Sequence, residues 1–198
     1  EVNANGFYFN ELTGENSAAQ LSLSAISDIK DKSTLNVNLL AHLEKDRLLK
    51  LVSGGASFAE AKKQAQKEVL EVFLIEKDDI AESELLDITR EGDDNAILLA
   101  ISVILQGHLT VADMSELIGK LNADLKEDGV LSDTVIGTAL INNAMLADLD
   151  AVRTNLEERC DELGLDASIP DFEKYVDAFV ENSSYTFNLF PTYPETSN

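Results

Sequence analysis

One cysteine, two histidines and no tryptophan occur among the 198 residues. Each scarcity closes off a class of chemistry. The lone thiol, Cys160, has no partner for an intramolecular disulfide, a state compatible with the cytosol and with export alike. Two histidines and one cysteine cannot build the usual zinc sites. Without tryptophan, a common platform for stacking a sugar ring is missing. Long apolar runs are also missing. The longest, Ala96 to Leu105, is broken by Ser102 and is far too short to span a bilayer. Positive charge is scarce: 15 Lys and Arg stand against 37 Asp and Glu, for a formal net charge of −22. Such a chain repels nucleic acid and anionic membranes. No nucleic-acid partner and no transmembrane segment are therefore expected.

What is present is an ordinary globular balance, 44% hydrophobic and 26% charged, in a chain long enough to bury a core without metals or disulfides. The charge is uneven. Glu44 to Glu71 holds six of the fifteen basic residues, whereas Glu76 to Asp94 and Asp148 to Glu181 are strongly acidic. Acidic faces are usually solvated; the sharper alternative is a docking surface for a basic partner or for calcium. The chain begins at Glu1 without an initiator Met, as expected of a processed or excised segment.

Two stretches near the start read as strands. "GFYFNEL" is rich in aromatics, and Leu21 to Ile29 alternates apolar and polar residues. Together they predict an N-terminal hairpin within residues 1–30. Beyond Ser33 the pattern turns helical. Leu40, Leu43 and Leu51 lie near helical spacing in Asn36 to Val52, and Gly54 and Gly55 supply a stop. Ser57 and Glu60 form a capping box for the next helix. Its apolar face is Phe58, Ala61, Ala65, Val69 and Val72, opposite Lys62, Lys63 and Lys67.

An acidic connector with one short helix near Glu82 to Asp87 follows. "NAILLAISVILQG" is apolar all round and predicts a central buried helix. Thr110 and Asp113 open another helix, which Gly129 ends. The helix from Ser132 or Asp133 either breaks near Asp148 or runs on to Leu163. Pro170 sits at a first helical position, ahead of a last helix from Asp171 to about Glu181. Tyr185, Phe187 and Leu189 alternate as a strand would. The expected fold is mainly α: about six helices in one domain over 1–183, with a small sheet from the hairpin. A C-terminal strand over 184–198 would add to that sheet before a linker.

No residue stands out as catalytic, cofactor-binding or metal-ligating. His42 lies one helical turn from Asp46, but a His–Asp pair needs a nucleophile to become a triad. No G-x-S-x-G elbow is present. Cys160 falls on the stripe Leu149, Val152, Leu156, Cys160 and Leu163, which predicts a buried and inert thiol. "DLKEDGVLSDTV" places Asp124, Asp128 and Gly129 at EF-hand positions one, five and six. Lys126 and Val135 stand where ligands belong, which favours a helix end and turn. Carboxylate pairs arise by chance in so acidic a chain. "VSGGAS" lacks the lysine and spacing of a phosphate loop. No cofactor is implied.

The segments "GFYFNELTG", "NVNLLAHLEKDRLLKLVSGGASFAEAKKQAQKEVLEVF" and "AILLAISVILQG" resemble a domain of unknown function found in secreted or lipid-anchored surface proteins of Bacteroidetes-type bacteria. Phe7 stands where that pattern has Tyr, and Ala41 where it has Thr. Similarity continues through "DLKEDGVL", "NLEERCDELG" and "IPDFEKYVD", so it covers most of the chain. The resemblance implies a cell-surface, periplasmic or extracellular location, beside other extracellular domains. It carries over no catalytic residue. The functional expectation is a noncatalytic structural or protein-interaction module, with a protein partner or neighbouring domains. The alternative is a hydrolase acting on extracellular polymers.

Overall fold

Helices form where the sequence supplies both an apolar stripe and a cap. The structure, a computed structural model, describes residues 1–30 and 32–189. Among these are seven α-helices and two short antiparallel ladders, so the chain is mainly α with one helix more than expected.

Helix α1 (Leu39–Ser53) starts three residues later than its leucine pattern suggests. Asn38 is extended and its side chain accepts the Ala41 N–H, so it caps the helix from outside. Gly55 takes a positive φ of 103°, which turns the chain after α1. Helix α2 (Phe58–Val72) opens with both halves of the Ser57–Glu60 capping box in place. The two helices pack side by side. Leu48, Ala61 and Ala65 form their own small core, edged by Leu51 and Phe58, while Leu40, Leu43 and Val69 join the main one. One expectation fails here. Lys62 does not face water with Lys63 and Lys67; it is 7% exposed.

Helix α3 (Asp93–Gln106) is the axis of the fold. It is buried from Ala96 to Gln106 except at half-buried Ser102, as an all-round apolar helix should be. Around it lie α1, α4 (Val111–Asp128), α5 (Thr134–Leu146) and α7 (Glu173–Asn182). Asp148 accepts the Ala151 N–H and thereby starts α6 (Leu149–Leu163), so the chain breaks there rather than continuing. Val152, Leu156 and Cys160 of α6 are buried, but Leu163 is 55% exposed, since the stripe ends one turn before the helix does. Pro170 precedes α7 rather than opening it. Its carbonyl accepts Phe172 N–H and an Arg153 guanidinium N–H, and the helix begins at Glu173. Phe179 of α7 meets Phe73 at a ring distance of 6.2 Å. No single helix among the described residues is long and apolar enough to cross a membrane.

The N-terminal sheet differs in detail from expectation. Strand β1 (Val2–Gly6) precedes the aromatic stretch and pairs with β4 (Leu21–Ala25), from Val2 opposite Ala25 to Gly6 opposite Leu21. The aromatic stretch itself gives only β2 (Phe9–Asn10), paired with β3 (Glu15–Asn16). The cause is Asn10, whose side chain accepts the N–H groups of Leu12 and Thr13 and bends the chain out of the strand. Phe7 is left 63% exposed.

The C-terminal segment does not join this sheet. Residues 185–189 run along α5 instead. Asn142 donates to the Asn188 carbonyl at 2.7 Å and accepts its N–H at 2.8 Å, so one side chain supplies the pairing a strand would have given. Tyr185 lies directly over Gly137, where any Cβ would overlap its ring. Residues 190–198, part of the expected strand and linker, lie outside the described residues.

Candidate functional site

The Asn10 turn drives the next residue inward. Glu11 is only 5% exposed, in a position its charge would not predict. Its backbone carbonyl accepts a hydrogen bond from Asn155 of α6 at 2.8 Å, which fixes the turn to the helical body. Gln106 of α3 donates to Asn10 Oδ1 at 3.2 Å, and Ser102 and Gln106 line the same cleft as Glu11 and favour its ionised carboxyl. Among the described residues no Lys or Arg pairs with it.

Glu11 lines a cleft of about 390 Å³ between the hairpin and the helices. The walls are Tyr8 and Phe9 beside β2, Leu21 and Leu23 of β4, Leu39 at the start of α1, Leu86 and Ile88 of the connector, Leu98 of α3 and Met114 of α4. Tyr8 Oη lies 3.6 Å from Met114 Sδ, closing one side. The polar contributors are Glu11, Asp87, Ser102, Gln106, Asn36 and Asn38; none is a cation. Burial pushes the Glu11 carboxyl above the usual carboxylate range, although its own N–H, Ser102 and Gln106 oppose the rise. Burial and the nearby Glu11 push the Tyr8 phenol up. An apolar cleft with one desolvated carboxyl at its wall has the form of a ligand site.

A second cluster is fully internal. Lys62 Nζ lies 2.7 Å from Glu44 Oε2 and 2.7 Å from Glu84 Oε2. These are charge pairs rather than well-angled hydrogen bonds. Ser83 donates to Glu44, and Gln66 donates to Ser83 at 2.9 Å. Burial pushes the Glu44 carboxyl up, against the pull of Lys62. The Glu84 carboxyl is lowered, because the pull of Lys62 outweighs its burial. Burial depresses the Lys62 ammonium, but its two carboxylate partners more than compensate and its pKa is raised. Nearby, Arg47 grips Glu68 through Nε at 2.6 Å and Nη2 at 3.0 Å, and donates from Nη1 to the Glu127 carbonyl at the end of α4. This cluster ties α1, α2, α4 and the connector together. Its charged groups neutralise one another, and so it reads as architecture.

His42 stands elsewhere. Its Nδ1 accepts the Ser24 N–H at 3.0 Å and lies 3.2 Å from Ser24 Oγ, joining α1 to β4. It hydrogen-bonds Ser24 and not Asp46. Burial holds the imidazole below its ordinary pKa, with Asp46 acting only through its charge, in the opposite sense. The lone pair that would take a proton from Ser24 Oγ already serves the backbone, and Lys45 Nζ donates to that hydroxyl at 3.0 Å. A nucleophile needs a free base and an accessible oxygen. Ser24 is buried and has neither.

Cys160 is buried on α6, and burial together with Asp161 and Asp87 pushes its thiol up. Asp124 accepts the N–H groups of Ser132 and Asp133 and the Ser132 hydroxyl, and Asp128 accepts the Val130 N–H. Gly129 is the left-handed cap of α4. The EF-hand-like residues thus organise a helix end and a turn. The acidic connector is partly neutralised within the molecule: Lys77 bridges Asp93 and Asp94, and Lys174 reaches Asp93.

Sequence reasoning passed over Glu11, Glu44 and Lys62. Positions 40, 43, 44, 47, 48 and 51 share one helical face, so Glu44 and Arg47 interrupt a leucine stripe. Lys62 likewise adjoins Ala61 and Ala65 on the α2 face. A charge inside an apolar stripe was the available signal. Glu11 carried a weaker one, a single acid between Phe9 and Leu12. Comparison with protein families, curated proteins and solved structures finds no match to this chain.

Proposed function

We propose that this chain is a noncatalytic binding module of an exported bacterial surface protein, and that it takes an apolar group into the cleft beside Glu11. The observation that carries the reading is the cleft itself: apolar walls from six separate segments around a few convergent polar groups. Its placement at the cell surface rests on the resemblance of "GFYFNELTG" and the segments after it to surface-protein domains. A serine-hydrolase form of the alternative would draw on Ser24 and His42, whose contact serves the backbone.

Titration of the 198-residue chain with a neutral aromatic, 2-phenylethanol, tests the binding reading. The expected result is a saturable NMR shift of the Met114 methyl and of the Tyr8 and Phe9 signals. No saturable shift up to the solubility limit, or shifts confined to other regions, would overturn it. Full-length precursor sequence bearing no export signal would overturn the cell-surface placement.

A further inference from the structure

We infer that the cleft beside Glu11 selects a small organic ammonium ion: a compact apolar body carrying one primary amine. The inference rests on the binding reading above and adds the charge of the ligand. Three observations carry it. The Glu11 carboxyl is nine-tenths buried and has no cationic partner among the described residues, although Lys62, Arg47 and Lys77 all have carboxylate partners. The second carboxylate of the cleft, Asp87, is paired with Arg90 at 3.2 Å, which leaves Glu11 as the acid without a cation, and no Lys, Arg or His lines the wall. The ligand body would lie against Tyr8 and Met114, whose ring and sulfur suit a cation with an apolar stem; the Phe9 ring already has the Arg159 guanidinium 5.5 Å from its centroid.

The chemistry is one of exchange. A desolvated carboxylate is unfavourable in the empty cleft, and burial already raises the Glu11 pKa. An incoming ammonium would offset that cost, forming a charge-assisted hydrogen bond where only the neutral Glu11 N–H, Ser102 and Gln106 now serve. A neutral alcohol of the same shape gains only the apolar contact. A carboxylate ligand is repelled by Glu11.

The experiment compares 2-phenylethylamine, 2-phenylethanol and 3-phenylpropanoate on the 198-residue chain at 0.15 M sodium chloride, with ammonium chloride as the control for general attraction to an acidic protein. The amine is expected to bind about tenfold more tightly than the alcohol, as a charge-assisted contact warrants, with the Met114 methyl shifting in both titrations. Propanoate and ammonium chloride should leave that methyl unmoved. Glu11→Gln should bring the amine to the level of the alcohol. Should that variant fold poorly, the wild-type chain carries the test: the titration midpoint of its Glu11 carboxyl ¹³C signal should fall with the amine bound and stay in place with the alcohol. Equal affinity of amine and alcohol in the cleft would overturn the charge inference and leave the binding reading intact. Absence of any Met114 shift would end both. Amine shifts spread over the acidic surface would likewise overturn the inference.

Discussion

Lys62 Nζ on α2 lies 2.7 Å from Glu84 Oε2 on the connector, and both side chains are almost wholly removed from water. The pair draws a 3-10 turn, Ser83–Leu85, onto the α1–α2 hairpin. Glu44 completes the arrangement from α1 at the same distance. Removing the ammonium would leave buried Glu44 without a counter-charge and Glu84 with only Lys32, whose Nζ lies 3.5 Å from its Oε1. Lys62→Met should therefore cost about 3–5 kcal/mol of stability, as broken buried pairs do. Adding Glu44→Gln and Glu84→Gln to that variant should restore much of the loss. Urea unfolding of the single and triple variants checks both statements; a single variant as stable as wild type would remove the cluster's structural role.

Glu11 should work against stability at neutral pH. Its folded-state pKa lies above the ordinary value of 4.5, so the folded chain binds the proton more tightly than the unfolded one. Its contribution is therefore fully present below about pH 4.5 and is lost as pH rises through the folded value. Tyr8 and Asp87 face the same cleft, but the phenol is neutral in this range and Asp87 is paired with Arg90, so burial is what resists ionisation of Glu11. Glu11→Gln should raise the melting temperature at pH 7 and have little effect at pH 4. Melting curves at the two pH values test the sign; a variant destabilised at pH 7 would contradict it.

His42 should be a structural acceptor. Its Nδ1 must stay unprotonated to accept the Ser24 N–H, and burial lowers its pKa. A depressed histidine contributes stability above its unfolded pKa of 6.5, and this is lost as pH falls through the lower folded value. His42→Ala should cost about 1–3 kcal/mol, the range for leaving a buried backbone donor unpaired. His42→Gln, which can place an oxygen near the same donor, should cost less. Denaturant unfolding at pH 7.5 orders the three chains; equal stability of wild type and the alanine variant would refute the assignment.

Cys160 should react slowly with thiol reagents in the native state. The side chain is buried, and its raised pKa keeps the thiol protonated near neutrality. Cys160→Ala should be mildly destabilising. Cys160→Asp should be severe, because an unpaired charge would enter the core. Labelling by a chromogenic disulfide at pH 7.5 should become fast only in denaturant. Rapid labelling of the folded chain would show the site to be open.

The sequence by itself determined the helices, because a helix is specified by contacts three and four residues apart and by its caps. Asn38 aside, the stops and starts at Gly55, Ser57 and Thr110 were readable for that reason, whereas the sequence left open the choice of Ser132 or Asp133 as cap and the break at Asp148. The central place of α3 was equally plain, since Ile97, Leu99, Ile101 and Ile104 leave it no polar face. Tertiary structure alone decided the rest. The residues 185–189 alternate like a strand, but whether they pair with β4 or with Asn142 depends on which partner the folded body brings near. Lys62 looked like one of three solvent lysines until Glu44 and Glu84, from 18 positions before it and 22 after it, closed around it. Glu11 became a cleft carboxyl because α3, α4 and the connector enclose it and none supplies a cation. Burial and charge pairing are properties of segments distant in the chain, and local periodicity does not encode which of them will meet.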